Sequence, residues 1–404
     1  MRCLFSIFFI VFATGCGTQK QERFSAAIDA DSVKKVVNSA IKWQISHMTK
    51  EGRGIWNNEY NGWADGVFMS AVADWTQYDN SHEFRQWYEG VAKQLFYEPG
   101  PRTINPANDV AVSLAYATIW RNSDEKERFP LNEIDYWNVD MIMRLYGGWT
   151  PLIPTIERLD YQMKYYPQTN DSLRFENPYN QERWCWCDAL YMAPPTYAAF
   201  AGITGNREYL DFMEREFWYT VNVLYDRQER LFYRDARYFT QREKNGEKVF
   251  WGRGNGWVAA GIARVVDLLP HDYPTLDKYV ALFQEMMSRI ATLQDENGYW
   301  HASLLDMQTY ISPETSATGF FTYALWWGIN RGYLSHEKYI PHARKAWEAM
   351  VAAVHPDGKL GYVQPIGDSP NNITCDKNEV YGTAAFALAG LEVARYADNH
   401  NNGN

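Results

Sequence analysis

Two kinds of apolar segment alternate along this chain of 404 residues. Segments of the first kind are apolar on almost every side and rich in alanine and glycine, and they span roughly residues 65–78, 108–120, 188–203, 256–269, 315–329 and 382–397. Segments of the second kind have one apolar stripe and one charged face, and they span about residues 32–48, 82–97, 132–146, 206–225, 275–294 and 336–353. A helix that is apolar all round is typical of a protein interior, and a helix with a single stripe is typical of a surface.

The connections between these segments also repeat. The sequence DENGYW at residues 295–300 compares with PDGKLGY at residues 356–362 and DRQERLFY at residues 226–233, and EGRGIW at residues 51–56 is a looser copy. A recurrence of roughly 60 to 70 residues indicates an array of similar helical hairpins. Six inner and six outer helices in strict alternation predict an all-α (α/α)6 barrel, which we expect to occupy residues 31–400 as a single domain.

Parallel inner helices would open all of their N-termini on one face of such a barrel. The polar and aromatic residues expected on that face are Asp65, Asn108, Asp109, residues 184–188 (WCWCD), residues 253–255 (RGN), Glu314, Thr315 and residues 379–381 (EVY). One interpretation is a functional site. The other is helix capping, because aspartate and asparagine are favoured N-caps, and SPE at residues 312–314 resembles a serine cap followed by proline. For Asp65 and Glu314 both interpretations stay open.

The most distinctive short motif is WGRGNGW at residues 251–257. Its three glycines let the backbone bend tightly and approach a ligand closely. Arg253 lies at the start of a predicted helix, where the N-terminus favours a bound carboxylate. The indoles of Trp251 and Trp257 suit the apolar face of a sugar ring, and Asn255 belongs to the same group of substrate-binding candidates. The alternative is a glycine-rich turn whose tryptophans pack in the core.

Asp188 is the leading candidate for a catalytic carboxylate. Trp184 and Trp186 precede it, and a carboxylate enclosed by indoles loses hydration, which raises its pKa and lets it hold a proton near neutral pH. Asp109, at the start of a neighbouring inner helix, is the candidate for a second carboxylate, and glycosidases commonly use such a pair. The alternative is that both aspartates are N-caps.

Further candidates for contact with a sugar are Trp184, Trp186, His301 and Glu314. His301 follows a tryptophan in a predicted hairpin turn, where its ring could bond a sugar hydroxyl. The alternative interpretation is that the ring merely faces solvent. The sequence contains no Ser/His/Asp set, phosphate-binding loop or clustered metal ligands, so it implies no cofactor and no metal. The C-x-C pair at residues 185 and 187 lacks companion ligands, and we expect buried structural thiols there.

Charge and composition narrow the choice of partner. The net charge is −10 without any basic cluster, which argues against nucleic acid. The 17 tryptophans and 28 tyrosines are typical of carbohydrate-processing proteins, although a large aromatic core also explains them.

The first sixteen residues predict export. A positive charge precedes residues 4–12, which are largely apolar, and residues 13–16 (ATGC) end in small residues and a cysteine. The apolar run is too short to span a membrane as a helix. Because the last two of these residues resemble a bacterial lipoprotein cleavage site, we expect either a lipid anchor at Cys16 in the outer membrane or plain secretion to the periplasm. Residues 17–30 then form a polar tether.

Several of these motifs together resemble glycoside hydrolase family 105, the unsaturated rhamnogalacturonyl hydrolases, which is related to family 88. The similarity runs from about residue 35 to residue 396 and rests on WCWCDALYMAPP (184–195), WGRGNGW (251–257), PETS (313–316) and YGT (381–383). The resemblance implies an (α/α)6 barrel. It also implies removal of a terminal 4,5-unsaturated uronic acid from the oligosaccharides that polysaccharide lyases leave, by hydration of the vinyl ether.

The resemblance implies roles for individual residues as well. Asp188 matches the catalytic aspartate of the family, which protonates C4 and assists the attack of water at C5. Asp109 matches a second aspartate that positions water and substrate. Arg253, with Trp251 and Trp257, matches a segment that lines the pocket, and we assign Arg253 to the carboxylate of the uronic acid.

One departure from the family pattern concerns Asn108, since many relatives carry an aspartate at this position beside the residue that Asp109 matches. It bears on the role of Asp109 and on the aglycone, the sugar that follows the unsaturated residue. A pectin-type rhamnogalacturonan fragment is the expected substrate, and arabinogalactan and ulvan fragments stay open.

Two other functions stay open. A conventional inverting glycosidase on the same barrel would act on saturated uronosides with Asp188 as acid and Asp109 as base, and its carboxylates would be about 6.5–9.5 Å apart. A surface glycan-binding lipoprotein would need only the tryptophans and the anchor.

Overall fold

The computed structural model describes residues 23–48, 61–102, 106–122, 152–165 and 183–401. Its helices are α1 (Ala30–Ser46), α2 (Trp63–Asp79), α3 (His82–Gln94), α4 (Pro106–Asp109), α5 (Ser113–Arg121), α6 (Ile153–Tyr165), α7 (Ala189–Met192), α8 (Pro194–Thr204), α9 (Glu208–Leu224), α10 (Gly252–Leu268), α11 (Leu276–Ala291), α12 (Thr315–Asn330), α13 (His336–Ala352) and α14 (Val380–Asn401). Two short antiparallel strands, β1 (Tyr225–Asp226) and β2 (Leu231–Phe232), pair with Tyr225 opposite Phe232. A 3-10 helix spans Ala236–Tyr238.

The inner layer of the described helices is a closed ring. Each of α2, α5, α8, α10, α12 and α14 packs against the next, and α14 returns to pack against α2. The helices α1, α3, α6, α9, α11 and α13 alternate with them along the chain and form the outer layer. This arrangement confirms the predicted (α/α)6 barrel.

Inner helices are buried because they are apolar all round. In α12, every residue from Thr315 to Ile329 is buried. Glycine allows close approach: a Cβ atom on Gly261 of α10 would lie 2.4 Å from the carbonyl oxygen of Leu190 in α7. A proline divides the predicted inner segment 188–203, since α8 begins at Pro194, which lacks the N–H that a continuous helix requires.

Outer helices bury one stripe each. The buried stripe of α11 consists of residues at helical spacing, as its periodicity predicts: Tyr279, Leu282, Phe283, Met286, Met287 and Ile290. The opposite face of α11 carries charged side chains and meets solvent.

The helix α6 was not predicted, and it lies in the outer layer between α5 and α8. The hydroxyl of Thr155 donates to Ser113 in α5 at 2.8 Å. Gln162 accepts a hydrogen bond from the Tyr197 hydroxyl in α8 at 2.9 Å and donates to the carbonyl of Pro106 at 2.8 Å. The outer helix predicted at residues 132–146 lies outside the described residues.

Single β-bridges connect the loops at the N-terminal ends of the inner helices. They join Trp186 to Asp235, Trp251 to Ser303, and His301 to Pro313. The segments that precede α7, α10 and α12 are thereby held on one face of the barrel.

The first and last helices of the barrel run antiparallel. Gln44, near the end of α1, accepts a hydrogen bond from Thr383, near the start of α14, at 2.7 Å. Val37 lies against Gly390 further along α14, where a Cβ atom on the glycine would be 2.4 Å from the valine side chain. The start of α1 is therefore at the end of the barrel opposite the N-termini of the inner helices.

The predicted export signal lies outside the described residues, as does the first part of the predicted tether. α1 begins at Ala30 and is capped by Asp29, whose side chain accepts from the N–H of Ser32 at 2.8 Å. Among the described helices, none combines the length and the apolar character needed to cross a bilayer.

Candidate active site

Asp188 occupies the N-cap position of α7, but its side chain does not cap the helix. Its backbone is already helical, and its side chain accepts no hydrogen bond from the following N–H groups. Its neighbours are instead the Cys187 thiol, 3.5 Å from Oδ2, and the Nε atom of Arg234, 3.7 Å from the same oxygen. The capping alternative is therefore wrong for Asp188.

Burial controls the protonation of Asp188. The residue is 8% exposed. Loss of hydration raises the pKa of its carboxyl group, while the positive charges of Arg234 and Arg253 act in the opposite direction. A carboxyl group in this setting holds a proton more readily than one in water, as a general acid must.

Asp109 is the last residue of α4 and is also buried. Its Oδ2 lies 3.6 Å from Nη1 of Arg158, which α6 contributes. Because α4 packs against α7, the segments that carry the two predicted carboxylates are neighbours. Asn108, the departure from the family pattern, is half-buried beside Asp109.

The Arg253 guanidinium is buried among loop carbonyls and aromatic rings. It donates from Nη1 to the carbonyl of Gln364 at 2.6 Å and from Nη2 to that of Pro365 at 3.0 Å. Its carbon Cζ lies 4.4 Å from the centre of the Trp251 ring and 4.8 Å from that of Tyr381. A guanidinium has five N–H donors, and these two bonds use two of them, so its assignment to a substrate carboxylate stays a prediction.

Trp257 is the centre of an aromatic cluster. Its ring lies 4.2 Å from Phe320, 4.8 Å from Tyr191 and 6.2 Å from Trp63, measured between ring centres. Trp63 in turn stacks on Tyr381 at 5.4 Å. These rings extend from α2 to α14 and join the start of four inner helices. Trp251 and Trp257 are both buried, as the core-packing alternative proposed, and their contact with a sugar stays a prediction.

Glu314 is the N-cap of α12, as the capping interpretation of this residue proposed. The serine cap with a following proline, read from residues 312–314, is wrong, because the helix begins only at Thr315. Its carboxylate accepts from the N–H groups of Ser316 at 3.1 Å and Ala317 at 2.7 Å. It also accepts from the N–H of Gln364 at 3.0 Å, and it is fully buried. Glu314 therefore positions the loop whose carbonyls hold Arg253. Asp65 does not take the cap position of its helix, since Gly62 is the N-cap of α2 and Asp65 is buried in the first turn.

Asn255 is buried and its amide bonds to backbone. Oδ1 accepts from the N–H of Phe232 at 2.7 Å, and Nδ2 donates to the carbonyls of Phe232 and Trp251, both at 3.0 Å. The side chain joins the start of α10 to β2.

His301, Trp184 and Trp186 lie within the packed structure that supports the site. Nδ1 of His301 lies 2.9 Å from the carbonyl of Tyr310, and Nε2 lies 3.1 Å from Oδ2 of Asp295. Because His301 is buried, the solvent-facing alternative is wrong. Trp184 packs with its ring against α8 and α9, and Trp186 pairs with the loop after β2. Their predicted contact with substrate stays a prediction.

Cys185 and Cys187 are free, buried thiols, as expected. Burial raises the pKa of Cys187 well above its ordinary value, which keeps the thiol neutral next to Asp188. Within the described ranges, no group of three or more histidine, cysteine or acidic side chains is arranged to hold a metal ion.

The sequence did not point to three residues of this site. Trp63 stands just before a predicted inner segment, Gln364 lies in a loop, and Arg234 follows a repeated connection. None of the three belongs to a periodic pattern or a short motif, and long-range pairing of loops brings them to the site.

Comparison with known proteins identifies the class. Residues 33–397 match the model of Glycosyl Hydrolase Family 88. The chain belongs to this family and is a glycoside hydrolase, so the resemblance read from the sequence is confirmed.

Two relatives are each named an unsaturated 3S-rhamnoglycuronyl hydrolase. The one from an Alteromonas species is 31% identical over 376 residues, which cover 90% of this chain and 86% of the relative. The one from Formosa agariphila is 36% identical over 349 residues, which cover 82% and 87%. A solved family 88 glycosyl hydrolase from Bacteroides vulgatus is 25% identical and superimposes with a TM-score of 0.75, over 91% of this chain and 99% of its own.

Proposed function

We propose that this enzyme removes a terminal 4,5-unsaturated uronic acid from oligosaccharides produced by polysaccharide lyases, and that Asp188 is its general acid. The observation that carries the proposal is the state of Asp188. It is a buried carboxyl group at the N-terminal face of the barrel, it makes no capping hydrogen bond to its helix, and burial raises its pKa. The names of the two relatives support an unsaturated glycuronyl group as the substrate.

The reaction consumes one water molecule. Asp188 donates its proton to C4 of the C4=C5 double bond, and positive charge develops on C5 and the ring oxygen. Water adds its oxygen to C5 and gives a proton back to the Asp188 carboxylate. The hemiketal formed at C5 opens by breaking the bond between C5 and the ring oxygen, and the hemiacetal left at C1 then expels the aglycone as an alcohol. Proton transfer of this kind typically contributes 10²–10⁴-fold to the rate.

Other residues of the site support the substrate. The half-buried ring of Trp63 stacks on the buried ring of Tyr381 at the N-terminal face of the barrel, beside Trp257, and suits the apolar face of a sugar. Arg253 suits the carboxylate of the uronic acid, and Asp109 suits the attacking water. Both assignments belong to this proposal.

For the aglycone, we propose rhamnose that carries a sulfate at O3. The support is the name shared by the two relatives, which cover most of this chain. An unsaturated disaccharide with 3-sulfated rhamnose should therefore be cleaved faster than the same disaccharide without sulfate, and faster than a rhamnogalacturonan fragment. Equal or reversed preference would remove the sulfate from the proposal and leave the reaction itself unaffected.

The reaction is tested by ultraviolet absorbance of the conjugated alkene. Wild-type protein should abolish this absorbance in lyase-generated oligosaccharides, and Asp188→Asn should slow the loss by about 10²–10⁴-fold because amide cannot supply the proton. The matched control is Asp267→Asn, which removes an aspartate of an ion pair with Arg331 near the ends of α10 and α12, away from the site. It should retain wild-type activity.

Two outcomes would overturn this function. Release of sugar from saturated uronosides with unchanged alkene absorbance would favour a conventional inverting glycosidase. Binding of oligosaccharide by both wild type and Asp188→Asn, with no turnover by either, would favour a glycan-binding protein.

We also propose that the protein is exported and lipidated at Cys16, on the strength of the cleavage-site resemblance in residues 13–16. Cells that express the full chain with a radiolabelled fatty acid should yield labelled protein in the membrane fraction. Cys16→Ser should lose the label, and an unlabelled wild-type protein in the periplasmic fraction would favour plain secretion.

A further inference from the structure

We infer that Arg234 is the counter-ion of Asp188 during the reaction: it stabilises the carboxylate that forms as the proton leaves for C4. The inference rests on the proposed function, because it concerns the charge that this proton transfer creates. Neither Arg234 nor the neighbouring Asp235 belongs to the motifs from which the site was predicted.

Backbone pairing sets the position of Arg234. The N–H of Cys187 donates to the carbonyl of Arg234 at 2.8 Å, and the neighbouring residues Trp186 and Asp235 form a β-bridge. The segment that ends in Asp188 therefore lies alongside the segment that carries Arg234. This pairing places Nε of Arg234 3.7 Å from Oδ2 of Asp188.

Asp235 orients the Arg234 guanidinium. Nη1 of Arg234 donates to Oδ2 of Asp235 at 2.7 Å, and Asp235 is fully buried. Asp235 also accepts from Arg237, at 2.9 Å from Nε and 2.8 Å from Nη2. One carboxylate is thus shared between two guanidinium groups. Arg237 also pairs with Asp368 at 2.8 Å, so the four charges balance. Of these four groups, the one at ion-pair distance from Asp188 is Arg234, and it stays charged at any ordinary pH.

The other groups that face Asp188 do not replace Arg234. The Cys187 thiol and the Tyr381 hydroxyl are both neutral, because burial raises the pKa of each. Arg253 contributes positive charge to the site, but two of its N–H groups are bound to backbone carbonyls. Asp109 lies on the neighbouring segment α4, with Arg158 beside it. Within the part of the chain that the structure describes, Arg234 is the arginine at ion-pair distance from Asp188.

The chemistry makes two opposite demands on Asp188. The carboxyl group must hold its proton until substrate arrives, and burial meets this demand. It must then carry a negative charge until water returns a proton, and a buried carboxylate needs a positive neighbour for that. Arg234 meets the second demand and is stabilising only when the charge has formed.

The test is the pH dependence of kcat/KM on an unsaturated disaccharide. Its alkaline limb reports loss of the proton from the free enzyme's acid, here Asp188. Arg234→Gln removes a positive charge that favours the carboxylate, so the limb should move to higher pH by about one pH unit. Below the limb, kcat should fall by about 10–100-fold, because the developing carboxylate is less stabilised, while KM changes little. Arg234→Lys keeps the charge and should retain most of the wild-type limb.

Asp235→Asn should move the limb in the opposite direction. It removes a negative charge that offsets Arg234, so the carboxylate of Asp188 is favoured and the limb should shift to lower pH. Opposite shifts from two neighbouring substitutions are not expected from a general loss of structure. Arg331→Gln is the matched control, since it removes an arginine that pairs with Asp267 at 3.0 Å away from the site, and should leave the limb in place. Thermal unfolding of each variant shows whether it is folded.

The outcomes separate the two proposals. If wild type consumes the alkene and Asp188→Asn does not, but folded Arg234→Gln keeps the wild-type limb and kcat, only the counter-ion role fails. A large rise in KM with an unchanged limb would also overturn it, and would assign Arg234 to substrate binding. If wild type leaves the alkene intact, the proposed function fails first.

Discussion

At the scale of single residues, Glu314 and Asp188 stand at equivalent places, each at the start of a helix, but they differ in role because their backbone conformations differ. Glu314 has an extended backbone, with φ −127° and ψ 103°, which is the conformation that aims an N-cap side chain at the first N–H groups of a helix. Asp188 is already helical, with φ −60° and ψ −27°, so its side chain is turned away from those groups. Backbone conformation at one residue thus separates a structural carboxylate from a candidate acid.

Glu314→Ala should lower both stability and activity. The substitution leaves the N–H groups of Ser316, Ala317 and Gln364 without their acceptor in a buried place. We expect the free energy of unfolding to fall by about 2 kcal/mol. Since the carbonyl of Gln364 holds Arg253, kcat/KM should fall as well. Urea unfolding and the alkene assay measure the two effects.

Glu337→Ala is the control for that substitution. Glu337 is an exposed glutamate in the first turn of α13, and its removal should change stability by no more than about 0.5 kcal/mol. If Glu314→Ala matched this control in both stability and kcat/KM, the cap would have neither of the roles given to it.

A site residue was predictable when it lay in a short motif, and it was not predictable when only long-range pairing of loops brought it to the site. Asp188, Arg253 and Trp257 lie in short motifs whose composition is unusual, so they stood out. Arg234 reaches Asp188 only because the backbones of residues 186–187 and 234–235 pair, and nothing local in the sequence encodes that pairing. Asn255 stood out for the same reason as Arg253, yet its amide is bound to backbone.

At the scale of elements, the contact between α7 and α10 connects core packing with the site. α7 directly follows Asp188, and it presses against Gly261 in α10 so closely that a Cβ atom would meet the Leu190 carbonyl oxygen at 2.4 Å. The carbonyl belongs to backbone and cannot swing aside. The helix as a whole must therefore move if the glycine is replaced.

Gly261→Ala should destabilise the protein by about 1–3 kcal/mol and reduce kcat/KM, because overpacking displaces α7 together with Asp188. Gly202→Ala in α8 is the matched control. Its added Cβ atom would approach only the end of the Arg121 side chain, at 3.9 Å, and alanine favours a helix by up to about 1 kcal/mol over glycine. Chemical denaturation should show a loss for Gly261→Ala and no loss for Gly202→Ala. If both substitutions changed the free energy of unfolding equally, the close contact at Gly261 would not be the cause of the loss.

Most helices were predictable because burial leaves a period in the sequence. An inner helix is apolar on every side and an outer one has a single stripe, and α11 and α12 follow these rules throughout. α6 escaped prediction because polar and charged residues interrupt its stripe, and the buried Thr155 and Gln162 are satisfied by hydrogen bonds to other helices instead. A polar residue whose partner is remote in sequence gives no local sign of burial.

At the scale of the whole molecule, the alternation of two helix types was sufficient for the fold class, since a closed double ring is what buries six all-apolar helices. The alternation of helix types did not predict which residues form the site, because the barrel only places the N-termini of the inner helices on one face. Chemistry there comes from the loops that the β-bridges hold together. The negative overall charge of −10 also means that an anionic sugar depends on arginines placed locally.

The antiparallel pairing of α1 with α14 has a geometric consequence for a protein attached through its N-terminus. Gln44 and Thr383 meet near the N-terminal face, so Ala30, where α1 begins, lies about 20 Å away at the other end of the barrel by the rise of 1.5 Å per residue. The start of α1 and the face that carries the candidate active site therefore lie at opposite ends of the barrel. A surface that held the enzyme by the α1 end would leave that face pointing outward, toward arriving oligosaccharides.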